Sequence, residues 1–152
     1  MYTGKVRARV VGLLIENDEV LLLKHDGMGL GGFLWSPPGG GIDFGEEATA
    51  TLKKEFLEET HLEVEVGSFL FINEHIDERH HAIELFFQVT RISGEPKLGM
   101  DPESKHQILS EIAFLSMDQL RQMGEPFVHS MFSRITRLED MLKLRGYYKF
   151  AL

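Results

Sequence analysis

The stretch that decides the fold is "GGGIDFGEEATATLKKEFLEETHL", Gly39 to Leu62. Two prolines, Pro37 and Pro38, precede its three glycines. From Glu46 onward it contains neither Gly nor Pro, and it is dense in glutamate. Ala48, Leu52 and Phe56 recur at helical spacing and form a stripe able to pack on a sheet. Glu55, Glu58 and Glu59 stand at i, i+3 and i+4, so they share the adjoining face. Carboxylates held that close repel one another. A divalent cation offsets the repulsion, and ligands that are all oxygen select a hard ion such as Mg²⁺ or Mn²⁺. Most glutamate-rich helices are simply solvated, and Lys53 and Lys54 sit among these acids. The glycine-rich approach separates this helix from that ordinary case.

The full spacing is specific. Gly40 is followed after five residues by Glu46. Seven residues later come Lys54-Glu55, Phe56, Leu57, Glu58-Glu59, Thr60, His61 and Leu62. This resembles the Nudix box, G-x5-E-x7-R-E-U-x-E-E-x-G-U, where U is a bulky apolar residue. "WSPPGGGIDFGE" is similar to the family's usual lead-in. Two positions depart: Lys54 stands for the usual Arg, and His61 for the usual Gly. Lys keeps the charge but loses the bidentate fork. A non-Gly residue at a position needing positive φ costs on the order of 1 kcal/mol.

The resemblance implies an α/β fold of the Nudix type, a mixed sheet sandwiched between helices, in a single domain spanning residues 1–152. It implies a pyrophosphohydrolase acting on a nucleoside diphosphate linked to another group, with water attacking phosphorus. Glu55 and Glu59 would be the main Mg²⁺ ligands, with Mn²⁺ a possible substitute. Glu58 would be a further ligand or would place the water. Gly40 would offer a backbone carbonyl to the metal, and Gly39, Gly40 and Gly41 would meet the phosphates. Glu46 and Lys54 would support the loop–helix junction. The general base is either a box glutamate or a later one, Glu103 or Glu111. The rival reading is a non-catalytic Nudix domain that binds a nucleotide or a protein. The intact glutamate triplet speaks against it.

The rest of the chain is consistent with one α/β unit. "VRARVVGLLI" alternates and then turns apolar on both faces, as a strand entering a buried sheet does. "ENDE" reads as a turn and "VLLLKH" as the returning strand. "LEVEV" with "FLFINEHI", residues 81–92, and "ILSEIAFLS" are further strands, and residues 94–107 a loop. Ser116 and Gln119 match a capping box. Val128, Met131, Phe132, Ile135, Leu138 and Leu142 recur at helical spacing, which predicts a C-terminal helix that ends at Gly146.

Composition narrows the function. With 152 residues, 43% hydrophobic and 26% charged, the chain has the make-up of a soluble globular domain. A net charge of −8 argues against nucleic acid polymers as partners, because no basic surface is available for phosphate backbones. It leaves room for a small nucleotide diphosphate derivative bound through metal. No apolar run reaches the length of a membrane span, and the N-terminus lacks a secretory core. A cytoplasmic location is the expectation, and a homodimer is compatible with the sequence. There is no Cys, hence no disulfide, thiol nucleophile or Cys-ligated zinc.

Three further signals are weaker. Gly27, Gly29 and Gly32 satisfy G-x-G-x-x-G, but no helix follows, so a mobile loop at 26–32 is the better reading. His75, His80 and His81 read as a surface hairpin and not as a zinc site. Trp35 reads as packing. Phe69, Phe71, Phe86 and Phe87 are divided between core and cleft.

Overall fold

A computed structural model describes residues 4–99 and 108–150. Strand β1, Val6–Glu16, runs through the middle of the sheet and organises everything else. It turns back into β2, Glu19–Asp26, with Ile15 opposite Val20 and Glu16 opposite Glu19. Asn17 and Asp18 form the two-residue turn at φ 51° and 60°. That pair of left-handed residues is what a type I′ hairpin turn demands, and Asn and Asp tolerate it best among non-glycines. β3 is Phe33–Ser36 and β4 is Gly39–Gly41. Helix α1 is Ala48–Thr60. β5, Glu63–Ile76, is continuous across "LEVEV" and "FLFINEHI", with its register shifting between Val66 and Phe69. β6 is His81–Ser93, β7 is Ile108–Ser116 and β8 is Gly146–Tyr148.

The strand order is β3-β2-β1-β6-β5-β8, with β4 also on β1 and β7 also on β2. β1 and β6 are parallel, as are β5 and β8; the other pairs are antiparallel. The sheet is therefore mixed. Each face carries its own core. Val10, Leu14, Leu21, Val64 and Val89 meet Leu52 and Phe56 of α1 on one side. Val11, Leu13, Leu22, Trp35, Phe71 and Phe86 meet Met131, Met141 and Phe150 of the C-terminal region on the other. Phe71 and Phe86 stack at 4.5 Å between ring centres in that second core. Phe69 is instead 46% exposed, with its ring edge-on to Phe87. Trp35 is buried, as its packing reading requires.

The short helix α2, Met117–Met123, starts at the expected capping box. Gln119 N–H donates to Ser116 Oγ at 3.3 Å, and Ser116 N–H donates to Gln119 Oε1 at 2.8 Å. The single C-terminal helix expected after it is replaced by two 3₁₀ segments, Ser130–Arg134 and Leu138–Lys143. The reason is local. Trp35 N–H donates to Phe127 C=O at 2.8 Å and His129 N–H to Trp35 C=O at 3.2 Å, so residues 127–129 must be extended to lie along β3. Ile135 and Arg137 are extended too, at φ −126° and −124°. Val128, Met131, Phe132 and Leu138 still enter the core, so the periodicity recorded burial and not helix. Gly146, at φ 99°, opens β8 rather than stopping a helix. No helix among the described residues is long and apolar enough to cross a membrane.

Candidate active site

The site forms where β4 meets α1. β4 lies antiparallel on β1, with Gly41 opposite Arg9, Gly40 opposite Val10 and Gly39 opposite Val11. Successive strand residues face opposite sides of a sheet. Gly40 shares the α1 side with Val10, while Gly41 shares the other side with Arg9.

α1 presents its glutamates to this strand. Glu55 is 3% exposed and Glu59 1%. A Cβ at Gly40 would lie 2.5 Å from the Glu55 carboxyl carbon and 2.7 and 2.8 Å from its oxygens. Only glycine lets that carboxylate rest on the strand. Glu59 Oε1 accepts the Gly39 N–H at 3.1 Å, a buried charge-assisted bond that ties the loop to the helix. Glu58 is half-buried on the flank. Glu55 and Glu59 are thus brought to the glycine strand, and among the described residues no three acidic or histidine side chains form a ready metal cage.

The donors nevertheless fit a hard divalent cation. They are all oxygen, two of the carboxylates are almost buried, and the backbone at Gly40 is stripped of side chain where the Glu55 carboxylate touches it. Glu55 and Glu59 stand one helical turn apart, and carboxylates that close together favour a cation between them.

The junction below is braced by Glu46. Its Oε1 accepts Asp43 N–H at 3.2 Å and Thr51 Oγ1–H at 3.3 Å, and its Oε2 accepts Lys54 Nζ–H at 2.9 Å. The Lys54 bond is the largest of the influences that hold the Glu46 carboxyl below its ordinary pKa. Glu46 in turn raises that of Lys54, with smaller help from Glu55 and Glu58. Lys54 makes one bond where a guanidinium could make two. Lys54→Arg is expected to keep the wild-type rate or raise it modestly, as read from steady-state kinetics beside an unfolding curve. A loss of tenfold or more would show that the brace is adapted to an ammonium group.

His61 closes α1 in the left-handed region, at φ 61° and ψ 19°, with its N–H on Leu57 C=O at 3.1 Å. Positive φ is therefore what this box position adopts. The ring offsets part of the strain, since Nδ1–H donates to Lys97 C=O at 2.9 Å. The following segment caps the helix: Lys97 N–H donates to Thr60 C=O at 2.9 Å and Gly99 N–H to Glu59 C=O at 2.8 Å. These bonds satisfy carbonyls that a helix end otherwise leaves without partners.

Of the two later base candidates, Glu103 lies outside the described residues. Glu111 is directly opposite Lys24, with Lys24 Nζ 3.7 Å from its Oε1, and its side chain is 60% exposed. Ile112 and Phe114 pack in the α1-side core, whereas Ala113 and Leu115 pack in the other. Alternation places Glu111 on the side away from α1. The glycine run at 27, 29 and 32 has φ of 81°, 78° and 92° and leads directly into β3, with no helix behind it. The hairpin histidines bond carboxylates: His75 and His80 reach Asp77, and His81 reaches Glu74.

Arg7 is a neighbour of the site that the sequence does not single out, the alternation of "VRARV" being the one signal it gives there. In the structure the Arg7 guanidinium lies over Gly41, where a Cβ would sit 1.9 Å from Nη2 and 2.4 Å from Cζ.

Comparison with known proteins identifies the family. The NUDIX domain model matches residues 6–135, and the chain belongs to the NUDIX family. A MutT NUDIX hydrolase from Burkholderia pseudomallei is 21% identical, with a TM-score of 0.70 over 87% of this chain and 99% of that one. An ADP-ribose pyrophosphatase from Streptococcus suis is 20% identical, with a TM-score of 0.61 over 94% and 98%. A UDP-X diphosphatase is 19% identical, with a TM-score of 0.63 over 97% and 69%. At such identities the likeness establishes the fold. No curated protein matches the chain significantly.

Proposed function

We propose that the chain is a Mg²⁺- or Mn²⁺-dependent pyrophosphohydrolase of nucleoside diphosphates linked to another moiety. The observation that carries this reading is the pair of buried carboxylates, Glu55 and Glu59, seated against side-chain-free backbone at Gly39 and Gly40. Glu55 and Glu59 would hold the cation, with Glu58 and the Gly40 carbonyl as further ligands. When bound, the cation supplies positive charge to the phosphoryl oxygens and lowers the pKa of a coordinated water. The chain's own residues do the rest. Gly39–Gly41 let the phosphates approach the backbone without obstruction. The Glu46–Lys54 brace keeps the loop at its angle to the helix. A box glutamate takes the proton of the attacking water, and Glu58 is the half-buried one, placed to exchange it with solvent. Water oxygen bonds to phosphorus, the bridging P–O bond breaks, and the freed phosphate leaves with the second product. Glu111, held to Lys24 on the other side of the sheet, is poorly placed for that proton.

The test is a panel of nucleoside triphosphates, nucleotide sugars and dinucleoside polyphosphates, incubated with Mg²⁺ and separated by product. At least one member should give a nucleoside monophosphate or a phosphorylated partner. Saturable binding with no cleavage across the panel would favour the non-catalytic reading.

A further inference from the structure

Two of the three box carboxylates, Glu58 and Glu59, stand on the last turn of α1, where a helix has carbonyls without intrahelical partners and frays first. Residues 94–99 lie across that end. Gly99 N–H donates to Glu59 C=O at 2.8 Å, and Lys97 N–H to Thr60 C=O at 2.9 Å. So close an approach needs residues without side chains. A Cβ at Gly94 would stand 2.8 Å from the His61 carbonyl oxygen, and one at Gly99 1.9 Å from that of Glu58. The start of the segment is tied to the sheet: Arg91 Nη1–H donates to Gly94 C=O at 3.1 Å, while Arg91 Nε–H donates to Glu16 Oε2 at 3.1 Å.

His61 joins helix and segment. Its own N–H closes α1 on Leu57 C=O, and its ring Nδ1–H donates to Lys97 C=O at 2.9 Å. Lys97 is thereby gripped on both sides of its backbone, its N–H by the helix and its C=O by the ring. The conformation has a cost. His61 sits at φ 61°, which glycine takes with less strain. Strain of this kind persists where the surroundings over-determine it, and a ring bonded across the helix end is such a constraint. Glycine at this position would relax the backbone and release the segment.

We propose that His61 is a positioning residue: its ring clasps residues 94–99 over the end of α1, and the clasped segment holds Glu58 and Glu59 in the geometry that binds the cation. The inference rests on the pyrophosphohydrolase reading and deepens it, because it gives the residue that replaces the box glycine a part in metal binding. The ring acts through the backbone of that turn.

Two variants separate the clasp from the strain. His61→Gly relieves the backbone but removes the donor. His61→Asn tolerates the left-handed region and places its amide nitrogen where Nδ1 stands, so it keeps the donor. Mn²⁺ is titrated into chelator-stripped protein and followed by electron paramagnetic resonance, with thermal unfolding and amide hydrogen exchange measured on the same samples. His61→Gly should unfold close to the parental temperature, since relieved strain offsets the lost bond. It should nevertheless bind Mn²⁺ about three- to tenfold more weakly, the worth of one hydrogen bond. Its Lys97 and Gly99 amides should exchange faster by a similar factor, with those of β1 no faster. His61→Asn should stay within about twofold of the parent on both readings. Parental Mn²⁺ affinity in His61→Gly, or equal weakening in both variants, would overturn the proposal. So would Lys97 and Gly99 amides that exchange at the parental rate in His61→Gly. A parent that binds no Mn²⁺ would sink the pyrophosphohydrolase reading, and the exchange comparison would still decide whether the ring holds the segment.

Discussion

Glu59→Gln is expected to lower turnover by about a thousandfold, since a metal ion supplies several kcal/mol of transition-state charge stabilisation and each ~1.4 kcal/mol is tenfold in rate. The fold should survive. Glu59 is 1% exposed, and its contact with the loop is an accepted hydrogen bond from Gly39 N–H at 3.1 Å. A glutamine can accept that same bond through its amide oxygen and has nearly the same volume. The substitution therefore removes charge from the site while keeping shape and loop position. Metal-free protein should be as stable as the parent or more so, because one buried carboxylate no longer repels Glu55 a turn away. Rates on the best panel substrate, metal affinity and unfolding midpoint are the three readings. A variant with parental rate and metal affinity would show that Glu59 does no more than anchor Gly39.

Gly40→Val attacks the same site from the strand side. Extended backbone accommodates valine, and Gly40 is not among the residues at positive φ. The obstacle is the Glu55 carboxylate, 2.5 Å from where Cβ would stand. The end of a glutamate side chain can swing away, so the chain should fold, with Glu55 displaced by an ångström or more. Misplacement on that scale costs roughly a hundredfold in rate. Because Glu55 serves the common chemical step, the loss should be equal on every substrate in the panel. A Gly40→Val protein that merely reorders its substrates would place Glu55 outside the common step.

What was legible in the sequence follows from which residues had no alternative. The glycines of β4 and the glutamates of α1 meet in contacts a few atoms wide, and their spacing was legible through its resemblance to the Nudix box. The β1–β2 hairpin was legible because Asn17 and Asp18 are among the few residues that accept its turn, and the start of α2 because Ser116 and Gln119 cap each other. The C-terminal region was misread because Val128, Met131, Phe132 and Leu138 are buried at intervals that a helix would also produce. Only the pairing of residues 127–129 with Trp35, more than ninety positions away, reveals that the backbone is extended there. Glu111 shows the same limit. Alternation along β7 was readable, but which face met α1 was not. Arg7 was hidden because a three-glycine strand carries no side-chain pattern from which its register on β1 could be inferred.

The most direct measurement of the central claim is turnover as a function of added metal, using chelator-stripped protein and the best substrate from the panel. Turnover should be absent without metal, rise saturably with Mg²⁺ or Mn²⁺, and require a higher metal concentration in Glu59→Gln, with cleavage of a phosphoric anhydride bond in every active sample. Full turnover in the stripped protein would contradict the account, because buried Glu55 and Glu59 would then have no cation to hold.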